Sequence, residues 1–442
     1  VNDLTSIAAL LDDWRAATRR PSVLIGTLLD EAAAYNMGGR IYTQILDLRA
    51  RRTAERLESR DKPSSYAAHG GPLHGVPIAV KDNIDVAGTE TSCGGRPERP
   101  PAACDAAIVR LLESLGAVVL GKTNLDEAAL GATGRNDRFG RCINPRHERM
   151  LCGGSSSGSA ASVAAGHTLL GVGTDTLGSV RIPAAFCGIA GFKPSHGCLS
   201  TAGVAPLYPQ FDTVGLLGAS LADIAHVFSA LVHGGVPAHP VPAAGGVQRL
   251  ACLDDAALEQ VQPRAADDYR CCVDALRDVA EFQLTATPAI DFAAVARAAM
   301  WEVAREFAAR SASAVPGYPA WSHLGSALRA LLDRALLRPA ARLAGGRCEL
   351  RGAAARLDEC LSATPAILTP TCPVAAPGID EDLPNSVAAF VAPANVAGLP
   401  AVCWPQALPE RRTLSLQLIG RRGGDGALLD LACRVQRVLD GL

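Results

Sequence analysis

An α/β protein with a parallel or mixed sheet is what the order of apolar runs predicts for this 442-residue chain. Three observations carry that expectation. Residues 76–80 (Val-Pro-Ile-Ala-Val) and 117–120 (Ala-Val-Val-Leu) are short apolar runs flanking a segment, 105–115, whose Ile108, Leu111, Leu112 and Leu115 recur at helical spacing. Strand, helix and strand in that order make a βαβ unit, which returns its second strand parallel to the first. Strand character resumes at 366–369 after a long Ala- and Arg-rich helical stretch, and a helix over 426–439 closes the chain. Between the two halves of the pattern, residues 153–193 are dense in Gly, Ser and Thr. Such a ribbon lets backbone pass close to backbone and leaves N–H groups free to point at a ligand.

Taken in order, residues 3–18 alternate apolar and polar with Leu10, Leu11 and Trp14 on one side of a helix. Residues 22–59 continue helical, and 61–71 form a polar loop leading into the strand that ends at Lys81. Residues 159–166 are helical by composition, 169–172 form a strand, and Ser220 caps a helix over 221–232. The Gly- and Pro-rich stretch 233–246 reads as a linker, and helices are expected over 291–312 and 324–343. One domain over 1–442 results: N-terminal helices in 1–69, a core of about 70–232 and 361–442, and a helical insertion over about 235–360.

Bulk composition excludes several classes. The net charge of −2 carries no basic block, whereas a nucleic-acid surface calls for a pI above about 9. No apolar run reaches about 18 residues and the first residues lack a leader pattern, so no membrane is expected and the cytoplasm is the default. Fourteen cysteines are scattered without any C-x-x-C pair and read as small buried hydrophobes, Cys187 and Cys198 among them. Only four of the 42 basic residues are lysine: Lys62, Lys81, Lys122 and Lys193. Arginine keeps its proton in a protein and a buried lysine does not, so each lysine merits inspection.

Three nucleophile patterns compete. Gly154-Ser-Ser156-Ser-Gly158 matches G-x-S-x-G, but no strand precedes it and no histidine follows His323 to act as base. Ser59-Arg-Asp-Lys62 matches S-x-x-K inside a charged, solvated segment without companion motifs. The third needs no histidine: Ser179 follows a tight Gly-Thr-Asp-Thr-Leu-Gly turn whose amides converge, Lys81 ends a strand where burial lowers its pKa, and Ser155 passes the proton between them. Turn serines and a surface lysine are the ordinary alternative for each residue taken alone.

Several further motifs stand in one order along the chain. They are residues 75–85 (GVPIAVKDNID), 121–127 (GKTNLDE), 153–160 (GGSSSGSA), 173–184 (GTDTLGSVRIPA), 368–371 (LTPT), 393–400 (PANVAGLP) and 416–420 (LQLIG). Together they resemble the amidase signature family across residues 70–215 and 366–431. The resemblance implies a large mixed sheet flanked by helices on both faces and a Ser–Ser–Lys set. Ser179 would be the nucleophile, Ser155, after a cis peptide from Gly154, the relay, and Lys81 the base. Backbone amides of Thr176, Leu177, Gly178 and Ser179 would form the oxyanion hole. It implies hydrolysis of a small amide through an acyl-serine, with no metal or cofactor, and often a homodimer.

Leu177 stands where the family usually has Gly; a position needing φ > 0 would strain it, and otherwise its side chain narrows the acyl pocket. Ser157 replaces a frequent Gly. Met150, Leu151 and Arg181 are the candidate substrate contacts, Arg181 being equally suited to an internal ion pair. Asp175 is expected to pin the turn, and Lys122 and Lys193 to satisfy loop carbonyls. A free-standing amidase similar to short bacterial members is the leading expectation. An allophanate- or biuret-type hydrolase, the glutaminase component of an amidotransferase needing partners, and a silent scaffold are the alternatives.

Overall fold

The computed structural model describes residues 5–16, 18–60, 71–97, 99–232, 247–315, 318–408 and 412–441. Most of the polar loop 61–71 and the linker 233–246 lie outside these residues, as does Lys62. Ser6 caps α1 (Ile7–Arg15) by accepting from Ala9 N at 3.1 Å, and the helix buries Leu10, Leu11 and Trp14 as its spacing predicts. Trp14 Nε1 donates to His74 O at 2.8 Å, which ties α1 to the approach to the first core strand.

α2 (Pro21–Gly39) begins on a proline and is followed by Arg40 in the left-handed region, φ 49°. A strand not expected from the sequence comes next: β1 (Tyr42–Ile45), paired antiparallel with β3 (Val118–Thr123). Asn36 holds its start, accepting from Tyr42 N at 2.7 Å and donating to Tyr42 O at 3.1 Å. Residues 22–59 are therefore helix, strand and helix, with α3 (Asp47–Arg60) completing the segment.

β2 (Pro77–Lys81), α4 (Ala107–Ser114) and β3 form the expected βαβ unit, with β2 and β3 parallel. Downstream come α5 (Ser157–Ala164), β4 (Leu170–Asp175), α6 (Arg181–Cys187), β5 (Ala190–Lys193), β6 (Thr213–Gly218) and α7 (Leu221–Val232). Ser220 caps α7 by accepting from Asp223 N at 3.1 Å, and Asp223 accepts from Ile7 N at 2.8 Å, joining the N-terminal helix to it.

The stretch expected to be a helical insertion extends the sheet as well. β7 (Gln248–Cys252) and β8 (Phe282–Ala286) pair parallel with each other, and β7 pairs parallel with β9 (Ala366–Pro370). These short strands sit between strong helical patterns: α8 (Asp255–Leu258) and α9 (Pro263–Arg277) separate them, and α10 (Phe292–Ala312) follows. The single helix expected over 324–343 is α11 (Ser326–Leu336) and α12 (Ala340–Ala363), parted before Ala340 by Pro339, which has no N–H to continue a helix. α13 (Ala392–Val396), the hairpin β10 (Ala401–Leu408) and β11 (Arg412–Gly420), and α14 (Asp425–Leu439) complete the chain.

Among the described residues eleven strands make one mixed sheet in the order β1-β3-β2-β4-β6-β5-β10-β11-β9-β7-β8. Every residue of β2, β3, β4, β6 and β9 is buried. Successive side chains of a strand point to opposite faces, so both faces are covered. Among the described residues no helix is long and apolar enough to cross a membrane.

α5 is built of Ser, Gly, Ala and Val, and Ser157 to Val163 are all buried. Gly158 N donates to Asn124 O at 2.9 Å, and a Cβ on Gly158 would press into Ile41 O and stand 2.6 Å from Asn124 N. Backbone cannot yield as a flexible side chain does. An interior helical Gly→Ala change usually gains up to about 1 kcal/mol. Gly158→Ala is expected to cost about 1–3 kcal/mol instead, read as a lower midpoint in urea unfolding.

Candidate active site

Lys81 ends β2 with its side chain fully buried, and its Nζ donates to Ser155 Oγ at 2.8 Å and Thr174 Oγ1 at 2.9 Å. Thr174 lies on β4, which runs parallel beside β2, and also accepts from Asn83 Nδ2 at 3.0 Å. Burial disfavours the ammonium and brings the Lys81 pKa down to about 7; the carboxylates of Asp126, Asp175 and Asp212 pull the other way without restoring it. The two other described lysines differ. Lys122 pairs with Asp82 at 2.8 Å and donates to Glu90 O at 3.0 Å. Lys193 donates to Pro194 O at 2.8 Å, and burial, followed by the charge of Arg181, lowers its pKa to about 7. Both satisfy loop groups, as expected.

The Gly154–Ser155 peptide is cis, and Ser155 is wholly buried. The next residue joins the two halves of the glycine- and serine-rich ribbon, Ser156 N donating to Ser179 O at 3.0 Å. Ser156 Oγ donates inward to Thr174 O at 3.3 Å, so the G-x-S-x-G serine is spent on the fold. Ser59 is exposed on α3 and donates to Arg56 O at 3.1 Å.

Asp175 ends β4 and shapes the turn after it. Its Oδ1 accepts from Gly178 N at 2.8 Å and its Oδ2 from Val180 N at 3.1 Å. Gly178 itself takes φ +105°, a conformation that favours glycine, and a Cβ there would run into Val391. Leu177 is not among the left-handed residues, so the usual glycine is not replaced at a strained position. Its side chain lines a cavity of about 450 Å³ together with Thr176, Ser179, Ile182, Leu207, Met300 and Trp301. Ser179 is buried but for 8% of its surface and opens onto this cavity. Thr176 is steadied by its Oγ1, which donates to Asp212 Oδ1 at 2.6 Å.

Four expectations are corrected here. Arg181 is fully buried, and its guanidinium is spent within the protein. Nε and Nη2 meet Asp175 at 3.0 and 2.9 Å, Nη1 donates to Val391 O and Gln417 Oε1 at 2.9 and 2.8 Å, and Nη2 to Asn395 Oδ1 at 2.7 Å. No donor remains for a substrate carboxylate. Burial would raise the Asp175 pKa, but Arg181 outweighs it and holds the carboxyl well below the usual range. Met150 and Leu151 are absent from the Ser179 cavity: Met150 lines a separate one of about 700 Å³, and Leu151 is core, its N donating to Pro377 O at 2.8 Å. The Gly178 amide is occupied by Asp175, leaving Thr176, Leu177 and Ser179 of the four expected donors. Cys187 is buried as expected, but Cys198 is exposed, because it sits in the turn after Ser195 and not on a sheet face.

Sequence reasoning missed Thr174, Asp126, Asn395 and Gln417. Asp126 accepts from Thr133 N at 3.1 Å and Gly134 N at 3.0 Å, folding the loop beside the ribbon. Asn395 donates to Asp175 O at 3.0 Å, and Gln417 to Thr369 Oγ1 at 3.0 Å and Phe390 O at 2.9 Å. Polar residues embedded in the apolar stretches 393–400 and 416–420 were the available signal, since a buried amide needs partners.

A family model described as Amidase matches residues 24–238. The chain is 32% identical over 429 residues to the A-type subunit of the glutamyl-tRNA(Gln) amidotransferase of Symbiobacterium thermophilum, covering 87% of this chain and 86% of that protein. It is 48% identical over 169 residues to an indoleacetamide hydrolase of Pseudomonas syringae pv. syringae, 38% of each chain. The native peptide amidase of Stenotrophomonas maltophilia superposes with a TM-score of 0.81 at 26% identity, over 99% of this chain and 97% of that one.

The two readings of Arg181 separate experimentally. Arg181→Leu leaves Asp175 and Asn395 without their partner and is expected to lower unfolding free energy by about 3–5 kcal/mol in denaturant titration. A substrate-binding arginine would raise KM and leave the unfolding midpoint in place.

Proposed function

The chain belongs to the amidase family, and we propose that it hydrolyses the C–N bond of a small amide through an acyl-serine formed on Ser179. The observation that carries this reading is a lysine with a pKa near 7, fully buried and 2.8 Å from Ser155, in a ribbon whose other half opens Ser179 onto a cavity. A lysine in that state is neutral in a substantial fraction of molecules at neutral pH and takes up a proton readily.

In this reading Ser179 Oγ attacks the amide carbonyl while its proton passes to Ser155, whose own proton goes to Lys81 Nζ. The amides of Thr176, Leu177 and Ser179 receive the developing oxyanion. Their geometry is set beforehand, because Asp175 fixes the turn from within and Asp212 holds Thr176. Proton return through the same serine to the leaving nitrogen releases ammonia or an amine and leaves the acyl-serine. Water, deprotonated through Ser155 and Lys81, then cleaves the ester and frees Ser179. Among the described residues the ribbon halves that carry Ser155 and Ser179 are linked through the main chain, not through those two hydroxyls; apo sites commonly close such contacts only around substrate. Leu177 narrows the acyl end of the cavity and favours slim acyl groups next to the scissile carbon.

A second reading has one observation in its favour, the near full-length similarity to the amidotransferase component. Glutamine hydrolysis that appears only with partner proteins would support it. Ammonia from small or aryl amides by the chain alone supports the free-standing enzyme.

Ser179→Ala is expected to lower kcat at least about 1000-fold and to abolish labelling by a fluorophosphonate, with the unfolding midpoint kept. Activity that survives in this variant overturns the mechanism. The pH profile follows from Lys81. The base works only when neutral, so kcat/KM rises about tenfold per unit below pH 7 and levels above it. A profile without an inflection near 7, measured as initial rates between about pH 5 and 9, contradicts Lys81 as the base.

A further inference from the structure

The cavity above Ser179 has a charge pattern of its own. Its walls are apolar near the nucleophile, with Leu177, Ile182 and Leu207, and remain so along α10, where Met300 and Trp301 line it. Its charged lining consists of Arg297 on α10 and Arg334 on α11, and no carboxylate lines it among the described residues. Among the described residues neither arginine is drawn into an ion pair. Arg297 has no side-chain hydrogen bond or ion pair among the described residues, and Arg334 donates from Nε to Ala330 O at 3.1 Å, which leaves its terminal nitrogens open. Neighbouring arginines behave otherwise: Arg347 pairs with Glu302 at 2.9 Å, and Arg310 with Glu306 at 2.7 Å. The carboxylates closest to the catalytic groups, Asp126, Asp175 and Asp212, are all engaged by main-chain amides or by Arg181. Two guanidinium groups without an ion pair among the described residues, on a mostly apolar cavity whose own lining holds no carboxylate, form a receptor for an anion attached to an apolar body.

We propose that Arg297 and Arg334 select amides that carry a carboxylate at the end remote from the scissile bond, joined to it by an apolar or aromatic body lying against Met300 and Trp301. This rests on the amidase reading above and adds its substrate class. Trp301 is held for the role by Arg338, whose guanidinium lies 4.4 Å from the ring centroid. A volume of about 450 Å³ suits a body of one ring with a short chain.

The test compares 4-phenylbutanamide with its para-carboxylate, following ammonia release. The carboxylated amide is expected to have a kcat/KM at least about tenfold higher at low salt, with the ratio shrinking as ionic strength rises toward about 0.5 M. In the double variant Arg297→Gln/Arg334→Gln the ratio falls toward one. In Arg297→Glu/Arg334→Glu it inverts in favour of the para-aminomethyl amide. Both side chains are exposed, so the substitutions spare the core. Equal rates for the two amides in the native enzyme, or a ratio that persists in the double Gln variant, overturn the proposal and leave the amidase reading intact. Titration calorimetry on Ser179→Ala decides the matter without turnover. Tighter binding of the carboxylate there supports the charge selection even if no amide is hydrolysed and Ser179 resists labelling, results that would overturn the amidase reading alone. Equal or absent binding overturns the selection.

Discussion

The buried pair of Asp175 and Arg181 is what the candidate site depends on. The two lie close in sequence, and the turn between them carries Thr176, Leu177, Gly178 and Ser179. A carboxylate with no water around it is stable only beside a charge and enough donors, and Arg181, Asn395, Gly178 and Val180 supply them. The reciprocal demand of the guanidinium draws in Val391, Asn395 and Gln417 from the C-terminal part of the chain. One electrostatic requirement thus shapes the turn that presents the serine and also closes the two sequence-distant halves of the sheet around it.

The lysines show how one side chain is given different chemistry by its surroundings. Lys122 is buried next to Asp82 and is held as half of an ion pair. Lys81, one residue before Asp82 in sequence, has hydroxyls for its nearest partners, and desolvation lowers its pKa. Lys193 also sits near 7, yet its nitrogen donates to the carbonyl of Pro194. A low pKa alone does not mark a base. What sets Lys81 apart is its neighbouring hydroxyl, on the ribbon that also carries Ser179.

Much of the fold was legible from periodicity. The βαβ unit, the buried face of α1, the Ser220 cap and the closing helix all follow from local patterns that hold in the tertiary structure. Of the unforeseen strands, β5, β6, β10 and β11 are interior, while β1, β7 and β8 are short and lie at or near the sheet's edges. There one face or one flank is open, so the apolar alternation that announces an interior strand is weak; β8 reads buried, exposed, half-buried, exposed, exposed. In the site, residue type and order offered Lys81, Ser155 and Ser179 as one of three competing patterns, and the resemblance to the amidase signature family singled them out. Thr174 was not among them, since nothing local distinguishes a strand threonine that meets a lysine from one that does not.

By itself the sequence determined most of the helices, four of the strands, the family and the triad candidates, for each of these is a property of neighbours along the chain. The tertiary structure alone decided how charge is distributed among them. It turned Arg181 inward, removed Met150 and Leu151 from the cavity, occupied the Gly178 amide, and placed Arg297 and Arg334 at a cavity that they share with Ser179, far away in sequence. The physical reason is range. Propensity and periodicity act over a few residues, whereas desolvation and Coulomb energy depend on which atoms the folded chain brings within a few ångströms.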